Sequence, residues 1–158
     1  MIKKGGFTLL ELLIGMTCFA ILICLSISFS ASIYQKNKLE VATGELKHII
    51  HYAKTQAQAR QTSLILAPLA KSDWSMGAIL FVDNSKHTYD SNSELLHQWS
   101  WNSPAIKITW NGFQSNQYLI FSPDLRHSAI NGFFQLKTNS QQQKLIVNRV
   151  GRVRSVVD

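Results

Sequence analysis

The sequence predicts an α+β domain: one long N-terminal helix, membrane-embedded in its first half and amphipathic in its second, packed on a mostly antiparallel β-sheet. Three observations predict it. Residues 7–33 are almost wholly apolar and carry one charge, Glu11. Apolar residues then recur at spacings of three and four as far as Ala57. After Thr62 the pattern becomes short β-rich runs separated by turn residues. A length of 158 residues suits one domain with its own core and is too short for two. Apolar residues make up 46% of the chain and charged residues 16%, which excludes a disordered or collagen-like protein and points to contact with lipid.

The head, residues 1–6, carries Lys3 and Lys4. As a helix, residues 7–33 measure about 40 Å, enough to cross a hydrocarbon core of about 30 Å with some tilt, and the positive head belongs on the cytoplasmic side. A cleavable signal peptide, with Ser28-Phe29-Ser30 as its small-x-small site, is one reading of this segment. A plain anchor is another, and a helix that assembles with other subunits is the third. Glu11 argues against the first two. A carboxylate within the membrane costs about 2.5–3.5 kcal/mol even on insertion scales, and neither a signal nor an anchor gains from it.

The residues Lys3-Lys4-Gly5-Gly6-Phe7-Thr8-Leu9-Leu10-Glu11-Leu12-Leu13-Ile14 resemble the processing site of type IV pilins and pseudopilins. The resemblance implies that a prepilin peptidase removes the leader, residues 1–6, after Gly6 and methylates the new N-terminus at Phe7. It also implies that Glu11, at the fifth mature position, serves assembly. The physical reading agrees, since a buried carboxylate becomes tolerable when it pairs with the amine of a neighbouring subunit. The expected partners are the peptidase, other pilins in a filament and, before assembly, inner-membrane lipid. The expected location is a single pass of the inner membrane with the globular domain in the periplasm, followed by the pilus at the cell surface.

The helix continues through residues 34–61. Leu39, Ala42, Leu46, Ile49, Ile50, Ala53 and Ala57 form a narrow apolar stripe, while Lys38, Lys47, His51 and Lys54 can face elsewhere. Gly44 weakens this half by about 1 kcal/mol relative to Ala. The β-rich domain, residues 62–158, contains runs at 63–67, 78–82, 106–110, 118–121, 133–138, 144–150 and 152–157. Asp83-Asn84-Ser85, Asn111-Gly112 and Asn131-Gly132 read as turns. This region resembles the minor pseudopilins related to secretion protein H and the T-type fimbrial pseudopilin, the GspH/FimT family. The landmarks are Trp74-x-x-Gly77-x-x-x-Phe81-x-Asp83, Phe121-x-Pro123 and Gly151-Arg152-Val153-Arg154. Leu125 stands where the family often places glycine after that proline.

The formal charge is +7, from sixteen Lys and Arg against nine Asp and Glu, and its placement is uneven. Residues 7–59 hold four bases and three acids and residues 60–125 four bases and five acids, so the two stretches together cancel. Residues 126–158 hold Arg126, Lys137, Lys144, Arg149, Arg152 and Arg154 against Asp158 alone, an asymmetry that suggests a polyanion site. In an extended segment Arg152 and Arg154 project to one face about 6.6–6.8 Å apart. DNA presents one phosphate per about 3.4 Å on each strand, so the pair can meet neighbouring or next-but-one phosphates. The planar guanidinium fork suits bidentate phosphate binding. Gly151 permits a turn that aims Arg149 with them, and Lys144 adds a fourth cation from across the hairpin.

A solvated edge strand guarded by Lys and Arg is the plain alternative for these residues. The family resemblance favours the other reading: in pilus-associated members, Gly-Arg-x-Arg near the C-terminus is associated with DNA binding in natural transformation. The expected function is therefore a minor pseudopilin of a type IV pilus that binds DNA without sequence preference through Arg126, Lys137, Lys144, Arg149, Gly151, Arg152 and Arg154. The alternative is a type II secretion pseudopilus subunit with a structural role.

No cofactor, metal or catalytic residue is expected. His48 and His51 lack further ligands at metal spacing. Trp99 and Trp101 have no bases close in sequence and read as packing residues. The sequence holds no nucleophile elbow or phosphate loop. Cys18 and Cys24 lie about 9 Å apart by helical rise, beyond disulfide reach.

Overall fold

The computed structural model describes residues 8–70, 72–101 and 106–157. Helix α1 spans Leu9–Arg60. The chain divides into two compact units, Met1–Asn37 and Lys38–Asp158, so the amphipathic half of the helix belongs with the β-rich domain.

In the first unit Thr8 caps α1. The Thr8 hydroxyl accepts from the Glu11 N–H at 3.3 Å, and the Glu11 carboxylate accepts from the Thr8 N–H and hydroxyl at 3.0 Å each. This reciprocal capping box satisfies otherwise orphaned groups at the helix start. The exposed side chains from Leu9 to Leu25 are almost all apolar, and Cys18 and Cys24 are exposed free thiols. The span expected over 7–33 includes Phe7 and the side chains of 26–32, which lie outside the described residues. Among the described residues no helix is long and apolar enough to cross a membrane.

The second unit joins the helix from Lys38 onward to two four-stranded antiparallel sheets. The strands are β1 (Leu64–Ala70), β2 (Asp73–Val82), β3 (Leu95–Ser100), β4 (Lys107–Gly112), β5 (Leu119–Phe121), β6 (Gly132–Lys137), β7 (Gln142–Val147) and β8 (Val153–Val157). The first sheet has the order β3-β2-β1-β5 and the second β4-β6-β7-β8. The apolar helix stripe meets them as its spacing predicts. Leu39, Leu46, Ile49, Ile50, Ala53 and Ala57 are buried in one cluster with Leu64, Leu66, Phe121, Phe134 and Leu145, each large side chain contributing about 1.5–3 kcal/mol. β1 is buried on both faces, because Ile65 packs with Ile79 and Phe81 in a second, smaller cluster.

The helix ends in a left-handed cap. Gln61 has φ 53° and the Thr62 N–H reaches the Ala57 carbonyl at 3.3 Å, a Schellman arrangement with glutamine where glycine is usual. The Phe-x-Pro turn is closed by Asp124, whose carboxylate accepts from the Arg126 N–H at 3.0 Å and whose carbonyl accepts from the His127 N–H at 3.0 Å.

The structure corrects two expectations. Asn111-Gly112 and Asn131-Gly132 are not turns: Gly112 ends β4, Gly132 opens β6, and the two glycines oppose each other. The Trp110 ring crowds both, and a Cβ on Gly132 would lie 2.7 Å from its Cη2, so glycine is required by close approach rather than by turn geometry. β3 has no counterpart among the expected runs. Its pairing with β2 carries a register shift at Leu80/Phe81, which breaks the period-two pattern that would have marked it.

Candidate nucleic-acid interface

The β7–β8 hairpin is built around Asn148. Its side-chain oxygen accepts from the Val150 N–H at 3.1 Å and the Arg152 N–H at 2.8 Å. Its carbonyl accepts from the Gly151 N–H at 2.9 Å, and its own N–H donates to the Arg152 carbonyl at 3.1 Å. Gly151 takes φ +78°, and a Cβ there would sit 3.1 Å from Lys54 Cδ. The turn therefore needs glycine twice over, for its left-handed backbone and for the helix side chain beneath it.

Two lysines of α1 fasten the hairpin. Lys54 Nζ donates to the Val150 carbonyl at 2.9 Å and Lys47 Nζ to the Ser155 hydroxyl at 3.3 Å. Deeper in the same contact, the buried Thr43 hydroxyl donates to the buried Gln143 side-chain oxygen at 3.0 Å.

β8 is an edge strand. Within it Arg154 opposes Ile146, and Arg152, one ladder position before the strand, opposes Asn148. Two residues apart in an extended segment, both arginines face outward, and both are exposed. Among the described residues neither guanidinium has an ion-pair partner. Lys144 opposes Val156 on β8 and Gln135 on β6, and Lys137 opposes Gln142 and Lys107, so both face out beside the arginines.

Arg149 is placed otherwise than expected. Its guanidinium Nη2 donates to the Arg126 carbonyl at 2.9 Å, because the Asn148 turn sends it toward the 125–127 segment rather than along β8. Arg126 itself pairs with Asp124 at 3.3 Å. Hydrogen bonds from the Arg126 N–H, then from the Arg126 side chain, hold the Asp124 carboxyl below its ordinary pKa, so a charged acid offsets this end of the basic region. Lys47, Lys54 and Lys107 were not among the expected site residues. Lys47 and Lys54, seven apart on one helix, carried a signal in their spacing. Lys107 carried none, since only the register of β4 against β6 brings it beside Lys137. Lys3, Lys4, Gly6 and Phe7 lie outside the described residues.

Comparison with known proteins gives the family and the fold. The family model described as type II transport protein GspH matches residues 42–151, which contain α1 from Ala42 and most of both sheets. The chain belongs to the GspH family. The prokaryotic N-terminal methylation motif matches residues 1–23. No curated protein matches the chain by sequence. Among solved structures, the Pseudomonas aeruginosa (strain PAO1) type IV minor pilin FimU is similar in two crystal forms. One matches with a TM-score of 0.59 at 15% identity, covering 78% of this chain and 90% of that one. The other gives 0.56 at 16%, covering 74% and 91%. At that identity the likeness shows the fold, the α+β pilin fold. This GspH-family chain is a minor pseudopilin or pilin of a type IV pilus or type II secretion system, a class that assembles with other pilins in filaments. Family and fold are those of pilin structural proteins. Its N-terminal motif is that of membrane-anchored pilus subunits.

Of the remaining candidates, Trp99 and Trp101 are packing residues, whereas His48 and His51 are exposed. His48, His51, Tyr52, His97 and Trp99 line a cleft of about 860 Å³ between α1 and β3. The Trp99 ring lies 4.4 Å from His97 and meets Tyr52 edge-on at 5.7 Å. Trp101 donates its indole N–H to the Trp74 carbonyl at 3.0 Å. Among the described residues no group of three or more His, Cys, Asp and Glu is placed to hold a metal ion.

Proposed function

We propose that this chain is a minor subunit of a type IV pilus that binds extracellular DNA without sequence preference and supports its uptake in natural transformation. The observation that carries the reading is the pair Arg152 and Arg154, exposed on the outward side of an edge strand with no ion-pair partner among the described residues. Unpaired guanidinium groups at this spacing suit a sugar-phosphate backbone, and Lys144 and Lys137 extend the positive surface. Arg149, Gly151 and Arg126 have supporting parts. Gly151 shapes the turn, Arg149 ties it to the 125–127 segment, and Arg126 contributes a charge partly offset by Asp124.

In this reading a prepilin peptidase recognises Lys3 and Lys4, cleaves after Gly6 and methylates Phe7, leaving a single inner-membrane span with a periplasmic domain until assembly delivers it to the pilus. Glu11 then exchanges its cap on Thr8 for the amine of a neighbouring subunit. One copy binds weakly, so uptake relies on several sites along a filament or on a second DNA-binding partner.

The test is a gel shift with the full chain in mild detergent, alongside transformation of a strain carrying Arg152→Gln with Arg154→Gln. The retarded band and DNA uptake are expected to be lost while pilus assembly persists, and Lys86→Gln, in an exposed loop, should change neither. The GspH match favours a second reading, a type II secretion pseudopilus subunit acting only in assembly. It predicts no shift for the unaltered protein.

A further inference from the structure

The burial pattern of the second sheet sorts its side chains. Ile108, Trp110, Phe134, Leu136, Leu145 and Val147 face the core, and the residues between them face out. On that outward face the cations form a diagonal. Lys137 on β6, Lys144 on β7 and Arg154 on β8 each lie one strand and one in-phase position from the last, about 8 Å per step from strand spacing and rise. Arg152 extends the line to the hairpin tip. Lys107 stands beside Lys137 at its other end, where the Asp73 carboxylate is close enough to feel its charge.

The far corner of this face is aromatic. One residue past β4, the Phe113 N–H still donates to the Asn131 carbonyl at 2.9 Å, which keeps Phe113 in phase with Lys107, Thr109 and Asn111. Its side chain is 88% exposed, the most open large apolar side chain among the described residues. Phe133 shares the outward phase and is diagonal to it, about 7–8 Å away. The row through Phe113 passes Asn131 and Asn148 and ends at Arg152, three strand spacings or about 14 Å off.

We propose that this face binds a single-stranded nucleic acid, with the backbone on the line Lys137, Lys144, Arg154, Arg152 and a base stacked on Phe113. The inference rests on the DNA reading of the same face and narrows its ligand. A duplex keeps its base faces inside its own stack and leaves an exposed ring unused. An unpaired strand offers a π-face at every nucleotide, so stacking on Phe113 is sequence-tolerant, as a cation-lined sheet requires. Asn131, Asn148, Gln135 and Thr109 add neutral donors and acceptors without repelling phosphate.

The experiment compares the full chain in detergent with Phe113→Ala and Phe113→Trp, using a fluorescein-labelled oligo-dT and a duplex, each of about twenty nucleotides per strand, in anisotropy titrations. Phe113→Ala is expected to weaken oligo-dT binding about tenfold and duplex binding less than about twofold, and Phe113→Trp to retain the unaltered affinity. Equal losses on both probes, or no loss on oligo-dT, overturn the proposal. If Phe113→Ala leaves both titrations unchanged and instead lowers incorporation into filaments, the ring is a subunit contact and the proposal falls. If the unaltered chain binds neither probe, the DNA reading falls with it. If duplex binding is lost with Arg152→Gln and Arg154→Gln but Phe113→Ala has no effect, the DNA reading survives alone.

Discussion

Removing the paired arginines should change the salt dependence of DNA binding by an amount the structure sets. Lys137, Lys144, Arg152 and Arg154 face outward together, so about four phosphates are neutralised and log affinity for a duplex should fall against log salt with a slope near −3.6. Between about 50 and 200 mM salt, that slope is a loss of about 150-fold. Arg152→Gln with Arg154→Gln leaves two cations, halving the slope to about −1.8 and shrinking the loss to about 12-fold. Arg126→Gln is the informative control. Arg126 is as basic as the others but pairs with Asp124, so its removal should flatten the slope by less than half as much as Arg152→Gln. The assay is anisotropy of a labelled duplex titrated with the full chain at several salt concentrations. Equal flattening by Arg126→Gln and Arg152→Gln would mean that overall charge rather than a built surface drives binding, and an unchanged slope in the double variant would refute the argument outright.

The remaining expectations concern the scaffold and acid. Thr43→Val should cost about 1–3 kcal/mol by leaving the buried Gln143 oxygen without its donor, and adding Gln143→Met should recover most of it; thermal unfolding of the two variants checks this at roughly 2–4 °C per kcal/mol. Gly151→Ala should cost about 1–2 kcal/mol through its positive φ and the Lys54 contact, lowering DNA affinity without altering the salt slope, since no charge changes. Asp73, Asp90 and Asp124 are all held below the ordinary aspartate value, first by the Ser75 N–H, the Ser93 hydroxyl and the Arg126 N–H respectively. A depressed folded pKa gives stabilisation that is complete above the unfolded value of about 3.9 and lost as pH falls through the folded ones. The amide of Arg126, followed by NMR, should therefore titrate with a midpoint below about 3.9; a midpoint above it contradicts the hydrogen-bonded turn.

Much of the fold is legible in the sequence because the helix advertises itself at every turn. Leu39, Leu46, Ile49, Ile50, Ala53 and Ala57 repeat at helical spacing and all end up buried. The β-hairpin carrying Arg152 and Arg154 is legible in part: Lys144 precedes inward Leu145, and Arg152 and Arg154 flank Val153, but the expected run 144–150 overruns β7, which ends at Val147 where the Asn148 turn begins. β3 is not legible, because a register shift destroys its alternation. The two Asn-Gly pairs mislead for a related reason: a single sequence cannot show that two glycines oppose each other beneath one indole ring. In the candidate site, the arginines two apart share a face by local geometry alone. Arg149 departs because the direction of its side chain depends on an Asn148 turn and on the carbonyl of Arg126, twenty-three residues away in sequence. Lys47 and Lys54 share a helix face by their spacing of seven, but Lys107 and Phe113 arrive through strand pairing that no local period records.

The lysine ties beneath the hairpin bear on how force would travel through the molecule. On the proposed reading, a retracting filament drags a long polymer by the last strand of a sheet, and an edge strand pulled away from its neighbour peels one rung at a time. Lys54 on the Val150 carbonyl and Lys47 on the Ser155 hydroxyl give β8 a second attachment, to a helix rather than to β7. Tension entering at Arg152 and Arg154 is thereby divided between two supports, and the tether resists tearing best when the load runs along the strand instead of across it.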